Sequence, residues 1–257
     1  MKRLFVTILS LCAIAIAVAD NSDNKLIMKA VKSNMEFTKV SVGAAVKLYV
    51  EDRTDGNIII RATERVMPYI KLAVEDGELE IYYANTIDFK KEKDLLFPLA
   101  EIYMPTNGRI ESFSATAASV VVVSPKVVVE KLEIEAIAAS KITLTAECAE
   151  IDCESTGAST ITINGKAAKG NIEVIGASTF NGSDLECSQL TAEVGGASKA
   201  MLKAESAKLD VYGASNATID CSSQLNASAS GASTIRYTGD CQVNITNSSG
   251  ASTIRKK

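Results

Sequence analysis

Five acidic residues recur at one fixed place in a repeating sequence, and their type and spacing give them the clearest capacity for chemistry. They stand five positions before a recurrent serine, and they are Glu135, Glu154, Glu173, Glu193 and Asp210. Carboxylate oxygens are the ligands that hard cations such as calcium prefer. Two carboxylates that flank a glycosidic bond can also hydrolyse it. The pattern therefore suggests two functions, cation binding and carbohydrate cleavage.

Two further carboxylates, Glu133 and Asp152, stand seven positions before the serine. On a strand they share a face with Glu135 and Glu154, so four carboxylates can come together there. The alternative is that all of these residues are the outward side of a strand, kept charged for solubility. Stacked like charges repel, however, and nearby lysines such as Lys131 leave some of them unneutralised. Raised carboxyl pKa values or bound cations follow from that repulsion.

Other catalytic chemistries find no support in the residues. None of the recurrent serines has glycine two positions later, as a nucleophile elbow requires, and no histidine exists to act as a base. With no histidine and no close pair of Cys-x-x-Cys units, zinc sites of the usual kind are excluded as well. Neither a Walker motif nor a Gly-x-Gly-x-x-Gly run is present, which argues against nucleotide chemistry. We expect no cofactor, with calcium at the acidic residues as the alternative.

The elements that must position the acidic residues follow from the repeat itself. The serines recur every 17 to 21 residues, mostly at the end of a Gly-Ala-Ser triplet, and they are Ser119, Ser140, Ser159, Ser178, Ser198, Ser215, Ser233 and Ser252. Two positions after each serine the residue is always apolar, as in Val121, Ile142 and Ile161. One position after it the residue is polar in every repeat but the first. This alternation predicts a strand with one buried face.

A second strand is predicted before each triplet, because the residue six positions upstream of the serine is apolar in the first seven repeats. Each coil is then strand, Gly-Ala-Ser bend, strand, which predicts a right-handed parallel β-helix with about 19 residues per coil. Glycine supplies the backbone angles of the bend. Serine can offer its hydroxyl to the equivalent serine one turn away, so we expect a hydroxyl ladder. The alternation leaves open whether the serines face inward or outward.

The N-terminal half is less regular. Gly43-Ala44-Ala45, with alternating valines before it and valine and leucine after it, resembles a degenerate first coil. Asp76-Gly77 lies between two alternating runs and predicts an antiparallel hairpin that leaves the helix. We therefore divide the chain into a signal peptide (1–19), an N-terminal arm (20–36), irregular coils with the hairpin excursion (37–110) and regular repeats (111–257).

Export is predicted from Lys2 and Arg3, the apolar run that follows them, and the small residues up to Ala19. No apolar stretch is long enough to span a membrane, so we expect a periplasmic, outer-membrane-surface or secreted protein. Removing the signal peptide leaves 25 basic and 31 acidic residues, a net charge of −6, which argues against a nucleic-acid partner. Five cysteines then remain, an odd number, and we expect free, buried thiols.

Several of these motifs resemble those of a known family, the autotransporter-adhesin head domains, or head GIN domains, of exported proteins in gut Gram-negative bacteria. The resemblance rests on the Phe37–Val42 opening, on Ile102-Tyr103-Met104-Pro105 and on the serial Gly-Ala-Ser units. It implies a parallel β-helix with an adhesin role, and it brings no catalytic residues. The chain departs from the family in carrying Ala117-Ala118-Ser119 and Ala138-Ala139-Ser140 in place of the first two glycine triplets, so glycine is not strictly required at those bends.

The sequence thus predicts a non-catalytic envelope or surface protein that binds glycan, protein or cation through one long face. A carbohydrate-active enzyme, lyase or hydrolase, that uses paired carboxylates is the alternative. The absence of histidine and tryptophan weighs against the enzyme, since sugar sites commonly stack a ring on an aromatic side chain. A structural module that assembles end to end is a third hypothesis.

Overall fold

The computed structural model describes residues 16–17, 25–34, 36–84 and 100–257, and these residues form strands almost throughout. The helix found among them is one short 3-10 turn, Met67–Tyr69, and no described helix has the length and apolarity needed to cross a membrane. The predicted signal peptide lies outside the described residues except for Ile16 and Ala17. The chain divides into two compact units, one up to Pro125 and one from Lys126 to Lys257.

The first unit combines parallel coils with an antiparallel excursion. Its strands are β1 (Ile16–Ala17), β2 (Leu26–Lys32), β3 (Lys39–Val42), β4 (Val46–Glu51), β5 (Asn57–Thr63), β6 (Ile70–Glu75), β7 (Glu78–Tyr83), β8 (Ala100–Pro105), β9 (Ser112–Ala115) and β10 (Val120–Val123). Strand β3 pairs in parallel with β7 and β9, and β4 pairs in parallel with β8 and β10. The pairs β1–β2, β2–β5, β5–β8 and β6–β7 are antiparallel. The predicted N-terminal excursion is therefore confirmed.

The hairpin between β6 and β7 turns at the predicted dipeptide. Asp76 and Gly77 have φ angles of 51° and 77°. A two-residue turn with positive φ at both positions matches the right-handed twist of the strands that it joins. Aspartate tolerates this conformation better than most residues, and glycine adopts it without steric cost.

The second unit is a stack of parallel coils. Its strands are β11 (Val127–Ile137), β12 (Lys141–Thr156), β13 (Thr160–Val174), β14 (Thr179–Val194), β15 (Lys199–Val211), β16 (Asn216–Ala229), β17 (Thr234–Thr238), β18 (Gln242–Ser248) and β19 (Thr253–Lys256). Each strand from β11 to β15 pairs in parallel with the next one, and equivalent residues are about 19 positions apart. The chain is an all-β solenoid, as the repeat predicts.

Each regular coil holds one long strand and not the two strands that the sequence predicts. Strand β12, for example, begins one residue after Ser140 and continues to Thr156, immediately before the next triplet. The strand bends within the coil without ending, because its backbone groups stay hydrogen-bonded to the neighbouring coils. The ladder register shifts at such places, as between Thr162 and Asn164.

The core consists of the two apolar columns that the alignment identifies. Two positions after the serine, Val121, Ile142, Ile161, Phe180, Ala200, Ala217 and Ile235 are all buried. Six positions before it, Phe113, Ile134, Cys153, Ile172, Ala192, Leu209 and Ala227 are buried as well. Within the second unit, equivalent residues on successive coils are hydrogen-bonded neighbours, so apolar residues of each column stack on one another there.

The triplet serines face inward, and those from Ser119 to Ser233 are buried. The predicted ladder exists in a different form, because a backbone amide and not a hydroxyl is the donor. The amide of Ser140 donates to Oγ of Ser159 at 3.1 Å, and the amide of Ser159 donates to Oγ of Ser178 at 3.3 Å. The hydroxyl of Ser140 donates in turn to the Ile137 carbonyl of its own bend at 2.8 Å. Ser178 thus satisfies two backbone groups, the Ser159 amide and the Ile175 carbonyl, that the corner would otherwise leave without partners.

Two corner conformations explain why the first triplets can do without glycine. In the Gly-Ala-Ser corners only glycine has positive φ, for example 79° at Gly196. In the Ala-Ala-Ser corners both alanines are left-handed, with φ of 54° and 65° at Ala138 and Ala139. Ala44 and Ala45 have the same conformation, with φ of 59° and 60°, which confirms a degenerate coil there.

Candidate functional site

The five predicted acidic residues lie side by side on consecutive coils of the second unit. The ladder pairs Glu135 with Glu154, Glu154 with Glu173, Glu173 with Glu193, and Glu193 with Asp210. Glu135 is half-buried and the other four are exposed. Neighbouring Cα atoms in such a ladder are about 4.8 Å apart. We call this row the acidic stripe.

Two residues of the acidic stripe accept hydrogen bonds from neutral groups. The Tyr212 hydroxyl donates to Glu193 at 2.8 Å, and the Ser228 hydroxyl donates to Asp210 at 2.9 Å. Across the described ranges, no lysine or arginine lies within ion-pair distance of Glu154, Glu173, Glu193 or Asp210. From Glu154 to Asp210 the stripe therefore presents four consecutive negative charges without a compensating cation among the described side chains.

The electrostatic effect is clearest at Glu154. Partial burial raises the pKa of its carboxyl, and the adjacent Glu173 and Glu135 raise this pKa further. Like charges on directly opposite residues of neighbouring strands are destabilising. A positively charged ligand along the stripe would relieve this repulsion.

The acidic residues seven positions before the serine, Glu133 and Asp152, differ because Lys131 forms ion pairs with both. The Lys131 ammonium lies 3.0 Å from Glu133 and 2.9 Å from Asp152. Burial by itself raises the pKa of Asp152, but hydrogen bonds from Lys131 and Asn171 lower it below its ordinary value. The sequence predicts four carboxylates together here. Lys131 bridges Glu133 and Asp152, whereas Glu135 and Glu154 belong to the acidic stripe. In the portion of the chain described, no three His, Cys, Asp or Glu side chains are grouped so as to hold a metal ion.

Another charged row shows that the same fold can alternate charge from coil to coil. Glu147, Lys166 and Glu186 are ladder partners. Lys166 and Lys203 lie 3.3 and 3.2 Å from Glu186, and Lys126 lies 2.7 Å from Glu147. We call this row the charge ladder. Solubility requires only exposed charge, which an alternating row supplies, so solubility alone does not account for the single sign of the acidic stripe.

The charge ladder borders a groove of about 620 Å³ that the sequence-based reasoning missed. Its floor includes a column of small side chains, Cys148, Ala167, Cys187 and Ala204, that are ladder partners on successive coils. Burial raises the pKa of the Cys148 and Cys187 thiols to about 11. They are therefore protonated at neutral pH and poor nucleophiles. Extending the serine alignment to eleven and twelve positions upstream would have revealed both rows.

An aromatic side chain beside the stripe was also missed. The Tyr212 ring lies over the backbone of Gly195, so close that a Cβ atom at Gly195 would be 2.3 Å from the ring. Glycine at this position thus provides the space for the ring, and the hydroxyl reaches Glu193. The signal in the sequence is the extra glycine, Gly195, immediately before the Gly196-Ala197-Ser198 triplet, because no other Gly-Ala-Ser triplet is preceded by glycine.

The comparison with protein families agrees with the repeat and the fold. Residues 36–204 match the family described as "Putative auto-transporter adhesin, head GIN domain". The chain belongs to this family. This head GIN chain has no significant match among curated proteins. Its membership accords with the resemblance of the Phe37 segment and the serial triplets.

Solved structures resemble the head GIN chain over most of its length. A putative adhesin from Parabacteroides merdae has a TM-score of 0.81 and 17% identity, covering 91% of this chain and 96% of that one. A putative adhesin from Parabacteroides distasonis gives 0.81 and 16%, with coverage of 91% and 98%. One from Bacteroides fragilis gives 0.66 and 19%, with coverage of 91% and 97%. At these identities the likeness establishes the fold alone.

Proposed function

We propose that this protein is a non-catalytic, exported cell-envelope or surface protein that binds its partner through the acidic stripe. The observation that carries the proposal is the contrast between two rows of one unit. The charge ladder alternates sign from coil to coil, whereas the stripe repeats one sign over five coils. Membership of an adhesin family and the adhesin neighbours support a binding role.

The chemistry of the stripe selects a positively charged, linear partner. Carboxylates repeat at about 4.8 Å along the stack, so a polymer with regularly spaced ammonium groups can meet several of them at once. Tyr212 adds an aromatic edge next to Glu193, and aromatic side chains are common contacts of sugar rings. A glycan that carries free amino groups combines both features. A basic protein segment or calcium would satisfy only the charge.

A non-catalytic role is favoured over the carbohydrate-active alternative. The sequence lacks histidine, and the groove thiols have pKa values too high for a nucleophile at neutral pH. The stripe carboxylates lie in one row on one face, whereas glycosidases place two carboxyl groups on either side of the scissile bond. The family description and the neighbours give no support to an enzyme.

A glycan array with the mature protein tests the proposal, provided that it carries amino-bearing, neutral and acidic glycans. We expect competable binding to amino-bearing glycans and weaker binding as salt concentration rises. Selective binding to neutral or acidic glycans would contradict the proposed chemistry. Loss of polymer length during incubation would support the enzyme instead.

Variants then test whether the stripe is the binding face. The triple variant Glu154→Gln, Glu173→Gln, Glu193→Gln removes three charges from the stripe. If each exposed ion pair contributes about 0.5 kcal/mol, this variant binds about tenfold more weakly. The matched control, Glu130→Gln, Asp184→Asn, Glu205→Gln, removes three exposed charges elsewhere and should bind like the natural protein. Equally weak binding by both variants would mean that binding depends on the net charge of the protein and not on the stripe.

A further inference from the structure

Two of the cysteines lie on adjacent coils near the end of the second unit. Cys221 belongs to β16 and is fully buried, whereas Cys241 immediately precedes β18 and is partly exposed. Both are free thiols in the structure. They belong neither to the acidic stripe nor to the four small side chains of the groove floor.

The backbone brings these two cysteines together. Gly239 lies so close to Cys221 that a Cβ atom on the glycine would be 2.1 Å from the Cys221 carbonyl oxygen. Two residues later comes Cys241, and the next residue, Gln242, is the ladder partner of Gln224. The segment around Cys241 therefore passes directly over the bend that follows Cys221.

The side chains meet at the same place. The Cys221 thiol lies 3.3 Å from the carbonyl oxygen of Gln224, to which it donates a hydrogen bond. The Cys241 side chain is close enough to Cys221 to raise the pKa of the Cys221 thiol. Cys148 and Cys187 differ, because Ala167 lies between them on the intervening coil. Two coil spacings of about 4.8 Å exceed the Cα separation of about 7 Å that a disulfide tolerates.

We propose that Cys221 and Cys241 form an intramolecular disulfide in an oxidising environment, and that this bond fastens the last coil to the preceding one. The last coil has the greatest need for such a bond. Most of β18 and β19 is exposed, including Ile245 at 53%. Among the described strands, β18 pairs with β16 and β19 pairs with β17, and neither has a neighbour on its other side.

The oxidation balances with a small disulfide as the oxidant. The Cys241 thiolate attacks one sulfur of the small disulfide, forms a mixed disulfide and releases one thiolate. The Cys221 thiolate then attacks Sγ of Cys241, which forms the protein disulfide and releases the second thiolate. Two protein thiols lose two electrons, the small disulfide gains them, and the two protons pass to the released thiolates. Burial, followed by the effect of the neighbouring Cys241 thiol, raises the pKa of Cys221 to about 11, so the second attack should accelerate at alkaline pH.

Oxidised glutathione applied to the folded full chain tests the proposal. Arg236 is the one trypsin site between the two cysteines, so a non-reducing digest should contain peptide 209–236 linked to peptide 237–255. We also expect the loss of two free thiols and a melting temperature higher by about 5 °C or more, because the bond closes a loop of roughly 20 residues. Reduction should reverse both changes.

Variants separate this pair from the other thiols. Cys187→Ala retains both proposed partners and should still yield the linked peptides. Cys241→Ser changes a partly exposed residue and should abolish the link, as should Cys221→Ala if that variant folds. Glutathione retained on Cys241, two unreacted thiols, or a link that involves a different cysteine would overturn the proposal.

Discussion

Replacement of Gly196 by alanine should destabilise the solenoid strongly, because this corner combines two constraints. Gly196 has a φ angle of 79°, which alanine adopts only with strain. A Cβ atom there would also lie 2.5 Å from the carbonyl oxygen of Gly176 on the preceding coil. The obstacle is backbone that is held in a ladder, so it cannot move aside as the end of a flexible side chain can.

The expected magnitude follows from these two constraints. A left-handed conformation costs an alanine about 1–2 kcal/mol. The Cβ–oxygen contact must open by nearly 1 Å to reach the 3.4 Å of an ordinary contact. Overpacking of this kind costs about 1–3 kcal/mol. We therefore expect Gly196→Ala to lower the free energy of unfolding by about 2–5 kcal/mol.

Gly157 provides the matched control. Its φ is also 79°, but its coil follows an Ala-Ala-Ser corner, and the nearest atom to an added Cβ is the Ala138 nitrogen at 3.1 Å. Gly157→Ala should therefore show mainly the conformational strain, about 1–2 kcal/mol. The reverse substitution Ala138→Gly relieves a left-handed alanine and should stabilise the protein by up to about 1 kcal/mol.

Urea denaturation of the full chain, followed by far-ultraviolet circular dichroism, measures all three variants. The predicted order of stability is Ala138→Gly, then the natural protein, then Gly157→Ala, then Gly196→Ala. Equal losses at Gly157 and Gly196 would refute the argument from contact with the preceding coil. A loss below about 0.5 kcal/mol at Gly196 would also refute the argument from strain.

Three further predictions concern single side chains. The Ser155 hydroxyl is buried without a hydrogen-bond partner, so Ser155→Ala should stabilise the protein by about 1 kcal/mol in urea denaturation, and a loss would mean that the hydroxyl is satisfied. Ser198→Ala removes the acceptor of the Ser178 amide and should cost about 1–2 kcal/mol in the same assay; an unchanged midpoint would count against the serine ladder. The raised pKa of Glu154 means that the folded state holds its proton more tightly, so stability falls as pH rises through the interval above the ordinary value of 4.5. Glu154→Gln should therefore stabilise the protein at neutral pH but not well below pH 4.5, and an equal effect at both would contradict the shift.

The rows of the solenoid could be predicted from the sequence because one coil of offset brings equivalent residues into hydrogen-bonded contact. The apolar column through Ile142 and Ile161 and the acidic stripe through Glu154 and Glu173 both follow from that rule. The hairpin at Asp76-Gly77 follows from local turn chemistry. Each of these predictions needs only the order of residues along the chain.

Other features depend on three-dimensional choices that spacing does not determine. The Lys131 ammonium bridges Glu133 and Asp152 and does not pair with the stripe. Which carboxylates it contacts depends on the conformation of its side chain. The amide-to-hydroxyl ladder depends on the serines facing inward. The alternation of polar and apolar residues does not predict this orientation, because the bend interrupts it. The continuity of β12 through its coil depends on hydrogen bonds to neighbouring coils and not on local propensity.

The pKa of the Glu154 carboxyl, measured by NMR with isotope-labelled glutamate, tests the role of the acidic stripe most directly. Glu154→Gln assigns the signal, and a glucosamine oligomer serves as the positively charged probe. We predict a pKa above the ordinary value in the free protein and a clear decrease when the probe is bound, because ammonium groups replace repulsion by attraction. Glu186, which Lys203 and Lys166 already neutralise, should change much less. A Glu154 pKa that stays constant at saturating probe, or an equal shift at Glu186, would contradict binding at the stripe.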